Sequence, residues 1–221
     1  MTRGAGAKGG DGPILEVRAV GPFQANAYIL GCRRTGKGIV IDPGDEGEVL
    51  IARVRALGLD IEAIALTHGH LDHAGAATDL HEALGAPVLL HEADARIYGT
   101  IRDQRRLFGL PAGKAPVPPD RLLLHGDEVR AGDLVLRVIH TPGHTLGSAC
   151  FLLEGGKLFS GDTLFRGSIG RTDIGGTSPE ELVRSIEERL CGLGDATEVF
   201  PGHGEPTTIG IEKATNPFLS R

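Results

Sequence analysis

The sequence predicts an α+β protein in which two β-sheets pack together and helices cover them on the outside. Three observations lead there. Predicted elements run strands, helix, strand, helix, and the order then begins again with strands and ends on helices. No linker or shift of composition divides the chain after its start, so the 221 residues read as a flexible tail, 1–12, and one domain, 13–221. Four clusters of histidine or aspartate each follow a predicted strand, which places the chemistry at strand ends.

The elements justify this in order. The opening M-T-R-G-A-G-A-K-G-G-D-G is Gly-rich and lacks the apolar core of a signal peptide. Residues 14–20, 25–30 and 36–41 read as strands, and the turns at Gly21-Pro22 and 35–38 suggest antiparallel pairing. Asp42-Pro43-Gly44 stops the third strand. Residues 46–57 place Val49, Leu50, Val54 and Leu57 at helical spacing, and Gly58 closes that helix. Residues 61–66 form a short apolar run suited to a buried strand. Residues 74–84 read as a helix, 88–90 as a buried strand, and 93–108 as a loosely defined helical stretch. Four prolines, Pro111, Pro116, Pro118 and Pro119, make 110–120 an irregular connection. Further strands are expected at 121–124, 134–139, 149–153, 157–159 and 198–200. Ser178-Pro179-Glu180-Glu181 opens a helix to about residue 190, with Ser178 as cap, Pro179 in the first turn, and Leu182, Val183, Ile186 and Leu190 on its apolar face. A short helix is expected over 209–215.

Composition excludes several function classes. Lys and Arg number 23 against 29 Asp and Glu, a net charge of −6 with no basic run, which argues against nucleic acid as a partner. Arg102, Arg105 and Arg106 read as the solvated face of a helix. No stretch approaches ~18 uninterrupted apolar residues, so no membrane span is expected. Cys32, Cys150 and Cys191 are odd in number, far apart and outside any C-x-x-C pattern, which points to a reducing cytoplasm.

The chain is organised around T-H-G-H-L-D-H, residues 67–73. An extended backbone would aim His68 and His70 to one side and let Asp72 and His73 diverge, an arrangement that suits two neighbouring metals. T-P-G-H-T (141–145), S-G-D-T (160–163) and P-G-H-G (201–204) complete the set, each in a Gly- or Pro-shaped turn. Together they offer His68, His70, Asp72, His73, His144, Asp162 and His203. Five imidazoles and two carboxylates suit zinc, and also iron or manganese. Seven donors exceed one tetrahedral site but suit two divalent ions sharing a bridging carboxylate. His140, just before the second cluster, is a candidate support for the ligands. His81, His91 and His125 read as surface or satisfied core residues.

These four clusters, in this order, resemble the motif set of the metallo-β-lactamase superfamily over essentially the whole chain after the tail. The resemblance implies an αββα sandwich of two mixed sheets flanked by helices. It implies His68, His70 and His144 as ligands of one metal, Asp72, His73 and His203 as ligands of a second, and Asp162 as the bridge. Within the superfamily, S-G-D-T-L-F-R-G-S-I-G-R-T-D and the closing Asn216-Pro217-Phe218 resemble glyoxalase II, which hydrolyses S-acylglutathione thioesters such as S-lactoylglutathione. Glyoxalase II proper has a helical domain between its last histidine motif and N-P-F. Here N-P-F follows His203 closely, so the chain resembles the short, single-domain hydrolases of that group. Arg171 falls where the longer enzymes carry a glutathione-contacting lysine, and is expected to hold a substrate carboxylate. Asp173 falls where they carry a tyrosine, and does not replace a phenol.

The expected reaction is attack of hydroxide, formed at the metals, on an acyl carbonyl, with Asp72 as a ligand that also orients the hydroxide. A thiolate leaves readily because its thiol has a pKa near ~8.5, so no strong general acid is needed. Persulfide dioxygenases are a competing resemblance. They use one iron, which here would correspond to His68, His144 and Asp162. Lactonases of the superfamily come third, since no tyrosine follows Asp162 as a carbonyl contact. A non-catalytic metal-binding module fits least, because no ligand position is lost.

Overall fold

The computed structural model describes residues 12–173 and 177–219, so all of the expected tail except Gly12 lies outside the described residues. The first sheet is laid down in chain order: β1 (Ile14–Val20), β2 (Ala25–Gly31), β3 (Lys37–Ile41), β4 (Asp60–Leu66), β5 (Val88–His91) and β6 (Arg121–Leu123). β1 to β3 form an antiparallel meander. β3 to β6 are parallel, so each joint between them needs a crossover. Those crossovers carry α1 (Gly47–Ala56), then α2 (Leu71–Ala74) and α3 (Ala77–Leu84), then α4 (Ala95–Tyr98) and α5 (Ile101–Leu107).

The second sheet contains β7 (Glu128–Ala131), β8 (Leu134–His140), β9 (Ala149–Leu153) and β10 (Lys157–Gly161). A small hairpin of β11 (Leu164–Phe165) and β12 (Ser168–Ile169) follows. The chain then passes through α6 (Pro179–Arg189) to β13 (Glu198–Pro201), β14 (Thr207–Thr208) and α7 (Ile209–Thr215). β13 joins β10 in parallel, and the sheet order is β14-β13-β10-β9-β8-β7. Both sheets are therefore mixed.

Alternation within the strands produces three apolar layers. In β3, Ile39 and Ile41 face the second sheet, where they join Tyr28, Leu30, Phe151 and Phe159. Val40 points the other way, onto Leu50 and Val54 of α1 and Leu80 of α3. Beyond the second sheet, Leu182, Ile186 and Leu190 close over Cys150, Leu158 and Val199. Each fully buried Leu, Ile or Phe contributes roughly 1.5–3 kcal/mol of transfer free energy. A strand buried on both faces thus holds the sandwich together from two sides at once.

The structure departs from the sequence reading at several points. Val49 was expected on the buried face of α1, but it is exposed and Ile51 is buried with Leu50 and Val54. The helix expected over 74–84 begins at Leu71 and breaks at Gly75-Ala76, because the histidine loop itself coils. Asp72 and His73 accordingly lie in a helical turn rather than an extended segment. The stretch 93–108 is a 3-10 turn and two short helices separated by Gly99-Thr100. β7, β11, β12 and β14 escaped prediction because two to four residues carry no usable periodicity. At α6, Ser178 Oγ accepts the Glu181 N–H at 3.2 Å with Pro179 in the first turn, as the capping pattern requires.

Among the described residues no helix is long and apolar enough to cross a membrane. β4, β8, β10 and β13 all end at one edge of the sandwich, where the Ala149 N–H donates to the Thr67 carbonyl at 2.9 Å and ties the sheets together.

Candidate metal centre

That edge gathers all seven donors. His68 and His70 leave β4, His144 follows β8, Asp162 follows β10, and His203 follows β13. Asp72 and His73 occupy the turn of α2. His144 Nε2 lies 3.2 Å from His68 Nε2 and 2.9 Å from His70 Nδ1. On the other side His73 Nε2 lies 3.3 Å from Asp162 Oδ1 and 3.7 Å from Asp72 Oδ2. His203 Nε2 is 3.3 Å from Asp72 Oδ2 and 3.7 Å from Asp162 Oδ2. Asp162 Oδ2 also stands 3.7 Å from His144 Nε2, so this carboxylate touches both groups.

The hydrogen bonds around the rings fix which nitrogens carry protons. Thr67 Oγ1 donates to Asp42 Oδ2 at 2.6 Å, so it can only accept from His68 Nδ1–H at 3.1 Å. His68 Nε2 is left as a bare lone pair. His144 Nδ1–H donates to the Arg171 carbonyl at 2.7 Å and leaves its own Nε2 bare. His73 Nδ1–H donates to Asp42 Oδ2 at 3.0 Å, and its Nε2 then confronts two carboxylates. Among the described residues His73 Nε2 and Asp162 Oδ1 are buried without a hydrogen-bond partner. Lone pairs facing one another in a buried space repel unless a proton or a metal cation lies between them. A tetrahedral ion at ~2.0–2.1 Å from each nitrogen would set ligand atoms about 3.3 Å apart, close to the spacings observed.

Electrostatics divide the cluster. Against the effect of burial, Asp162 and Asp72 hold His73 well above the usual histidine range and His203 above it, so on that side protons take the place a cation would fill. Burial, with the neighbouring histidines, holds His68 well below the usual histidine range and His70 at about 4, so both rings are neutral near pH 7, as ligands must be. Burial pushes the Asp72 and Asp162 carboxyls up, but His73 and the adjacent imidazoles outweigh it and hold both below their ordinary range. Three combinations of side chains are close enough to hold an ion: His68, His70 and His144; His68, His73 and Asp162; Asp72, His73 and His203. The first and third share no member, so the cluster suits two divalent ions.

Several supporting residues had no role in the sequence reading. Asp42, read only as a strand stop, is buried at φ 50° and receives the Thr67 N–H, the Thr67 hydroxyl and His73. Its visible signal is an acid at the end of a buried strand, before Pro43-Gly44. Gly44 packs against the backbone of Asp72 where a Cβ would collide. Asp94 left no signal. It accepts from the Gly69 N–H and Thr145 hydroxyl, both at 2.8 Å, and from the Gly147 N–H at 2.6 Å, so it joins the His68–His70 loop to the His144 loop. The His203 loop is held by Tyr28, whose hydroxyl donates to the Pro201 carbonyl at 2.6 Å, and by Asn26, which donates to the carbonyls of Pro201 and Gly204.

Two further candidates sit differently. His140 touches no donor ring. It stacks on His91 at 4.0 Å and donates from Nε2 to the Leu146 carbonyl at 2.9 Å, in the loop that carries His144. Arg171 lines a cleft of about 680 Å³ above the cluster. Its guanidinium is engaged by Asp173 through two bonds of 2.8 Å. His81 and His125 stand apart from the cluster, bonded to Ala86 and His140.

Two sheets enclosed by helices, with a paired His/Asp cluster at one edge, define a metallohydrolase architecture. The family model of the metallo-β-lactamase superfamily matches residues 20–203, and the chain belongs to that superfamily. The chain is 38% identical over 208 residues to "Hydroxyacylglutathione hydrolase GloC" of Haemophilus influenzae, covering 93% of this chain and 98% of that protein. Among solved structures, the BLEG-1 B3 metallo-β-lactamase superposes with a TM-score of 0.87 at 36% identity, covering 94% of this chain and all of that one (100%). TTHA1623 in a di-iron-bound form follows at 0.81 and 43% identity, over 94% and 99% of the two chains. ETHE1 from Myxococcus xanthus superposes at 0.79 and 31% identity, over 92% and 83%.

Proposed function

We propose that residues 13–221 form a binuclear metal-dependent thioester hydrolase that cleaves S-lactoylglutathione or a related small acyl thioester. The observation that carries this reading is the pair of disjoint donor triads with Asp162 against both. In this reading His68, His70 and His144 would hold one ion and Asp72, His73 and His203 the other, with Asp162 a ligand available to both. The ions, most simply zinc but also iron or manganese, supply Lewis acidity that polarises the acyl carbonyl and brings the pKa of water towards ~7. Asp72 accepts a hydrogen bond from the attacking water and aims it. Asp42 and Thr67 keep the proton of His73 and His68 on Nδ1, so that Nε2 stays free for a ligand bond. The departing thiolate, from a thiol of pKa ~8.5, needs no acid from the protein. The likeness to the relative named hydroxyacylglutathione hydrolase supports the thioester arm. The three free cysteines favour a reducing cytoplasm as the setting.

The likeness to ETHE1 favours a second reading, a single-iron persulfide dioxygenase built on His68, His144 and Asp162. One preparation separates the two. Metal content per chain is measured beside S-lactoylglutathione hydrolysis and oxygen uptake with glutathione persulfide. Two metals, thioester cleavage and no oxygen uptake are expected. One iron with persulfide-dependent oxygen uptake would replace the hydrolase with the dioxygenase.

A further inference from the structure

Resting on the thioesterase reading, we propose that the cleft selects thioesters with an apolar acyl chain and does not recognise its substrate through anionic groups. The polar side chains along its walls are already engaged. Gln104 Oε1 accepts the Leu71 N–H at 2.8 Å and Gln104 Nε2 donates to the Ile97 carbonyl at 3.0 Å. The Thr100 hydroxyl donates to the same carbonyl at 2.7 Å. Among the described residues Arg171 is the one lysine or arginine lining the cleft, and Asp173 neutralises it with a bidentate grip. An anionic arm would meet no uncommitted lysine or arginine on these walls.

Apolar surface is offered instead. Leu107 is 80% exposed and Phe108 54% exposed at the rim, although both are large hydrophobic residues. Phe23 packs edge-to-face on Phe108 at 5.0 Å, and Phe165 and Ile169 line the same cleft. Single exposed apolar residues need no explanation. A group of them around a cleft with metal-ligand chemistry at its floor has the composition of a small-molecule site. An acyl chain seated there would withdraw both its own surface and that of Leu107 and Phe108 from water.

The test is a series of N-acetylcysteamine thioesters, acetyl, butanoyl, hexanoyl and octanoyl, whose thiol arm is neutral and constant. Calorimetric titration with acetate to octanoate runs beside it. Full burial corresponds to about fourfold per methylene, so kcat/KM should rise roughly two- to fourfold per methylene up to hexanoyl. Alkanoate affinity should rise in parallel. Phe108→Ser, and separately Leu107→Ser at its exposed position, should flatten both series. A flat rate series with equal alkanoate affinities would overturn the proposal. So would a tenfold or greater preference for the glutathione thioester of the same acyl group. If no thioester is cleaved, the thioesterase reading fails. The alkanoates then decide the inference alone: octanoate binding tighter than acetate supports it, and equal binding sinks it.

Discussion

Asp42 shows how much one buried carboxylate can organise. It gathers three donors, two from Thr67 and one from His73, and through them sets the tautomers of His68 and His73 on opposite sides of the centre. Its left-handed backbone, φ 50°, is a conformation that a non-glycine residue holds only when its surroundings demand it. Replacing it by alanine leaves buried donors without an acceptor, at about 1–3 kcal/mol each. The same change frees the ring of His73. Asp42→Ala should lower metal affinity by roughly 10–100-fold. Competition with a chromophoric chelator measures this, and wild-type affinity in the variant would exclude the orienting role. Asp94 acts comparably between the loops of His70 and His144, through two backbone N–H groups and the Thr145 hydroxyl rather than through a ligand ring.

Strand ends decide how the two sheets meet. β5 of the first sheet ends at His91 and β8 of the second ends at His140, and the two rings stack at 4.0 Å with 13° between their planes. Burial first, and the nearby His140 second, lower the His91 pKa from 6.5 to about 4, with Asp127 opposing and His125 assisting. A histidine with a depressed folded pKa stays neutral in the fold while the unfolded chain takes up a proton. Its contribution is therefore complete above pH 6.5 and is lost progressively as pH falls towards about 4. The loss between pH 7 and pH 4.5 should be roughly 2 kcal/mol. His91→Gln removes that titration, so denaturant unfolding should show the variant losing about that much less stability over the same interval. Equal acid losses in both proteins would assign the effect to other groups.

At the scale of the whole molecule, the candidate centre joins β4 of one sheet to β8, β10 and β13 of the other. Ions bound there act on the native state and not on the unfolded chain. At a free concentration a thousandfold above Kd each ion would contribute about 4 kcal/mol, and two together about 8 kcal/mol. For a chain of this size about 1 kcal/mol corresponds to ~2–4 °C, so removing one ion should lower Tm by roughly 8–16 °C and complete chelation by about twice that. Zinc, iron or manganese added back should restore it. A Tm unchanged by exhaustive chelation would mean that the sheets need no metal to stay joined.

The sequence by itself determined most of the longer strands and helices, the cap of α6 and seven candidate donors. It could do so because these are local: alternation, capping and short motifs involve neighbours along the chain. T-H-G-H-L-D-H was conspicuous because four donor side chains crowd into seven residues. The tertiary structure alone decided that the four clusters converge, since parallel pairing of β3 to β6 and of β10 with β13 brings distant strand ends to one edge. It also decided that Asp42 and Asp94 support the loops, that Asp72 and His73 share a helical turn, and that Asp173 occupies Arg171. Each is a contact whose partner, or whose backbone conformation, is set by packing rather than by local pattern. A residue's chemistry is written in its side chain, but its partners are chosen by the fold.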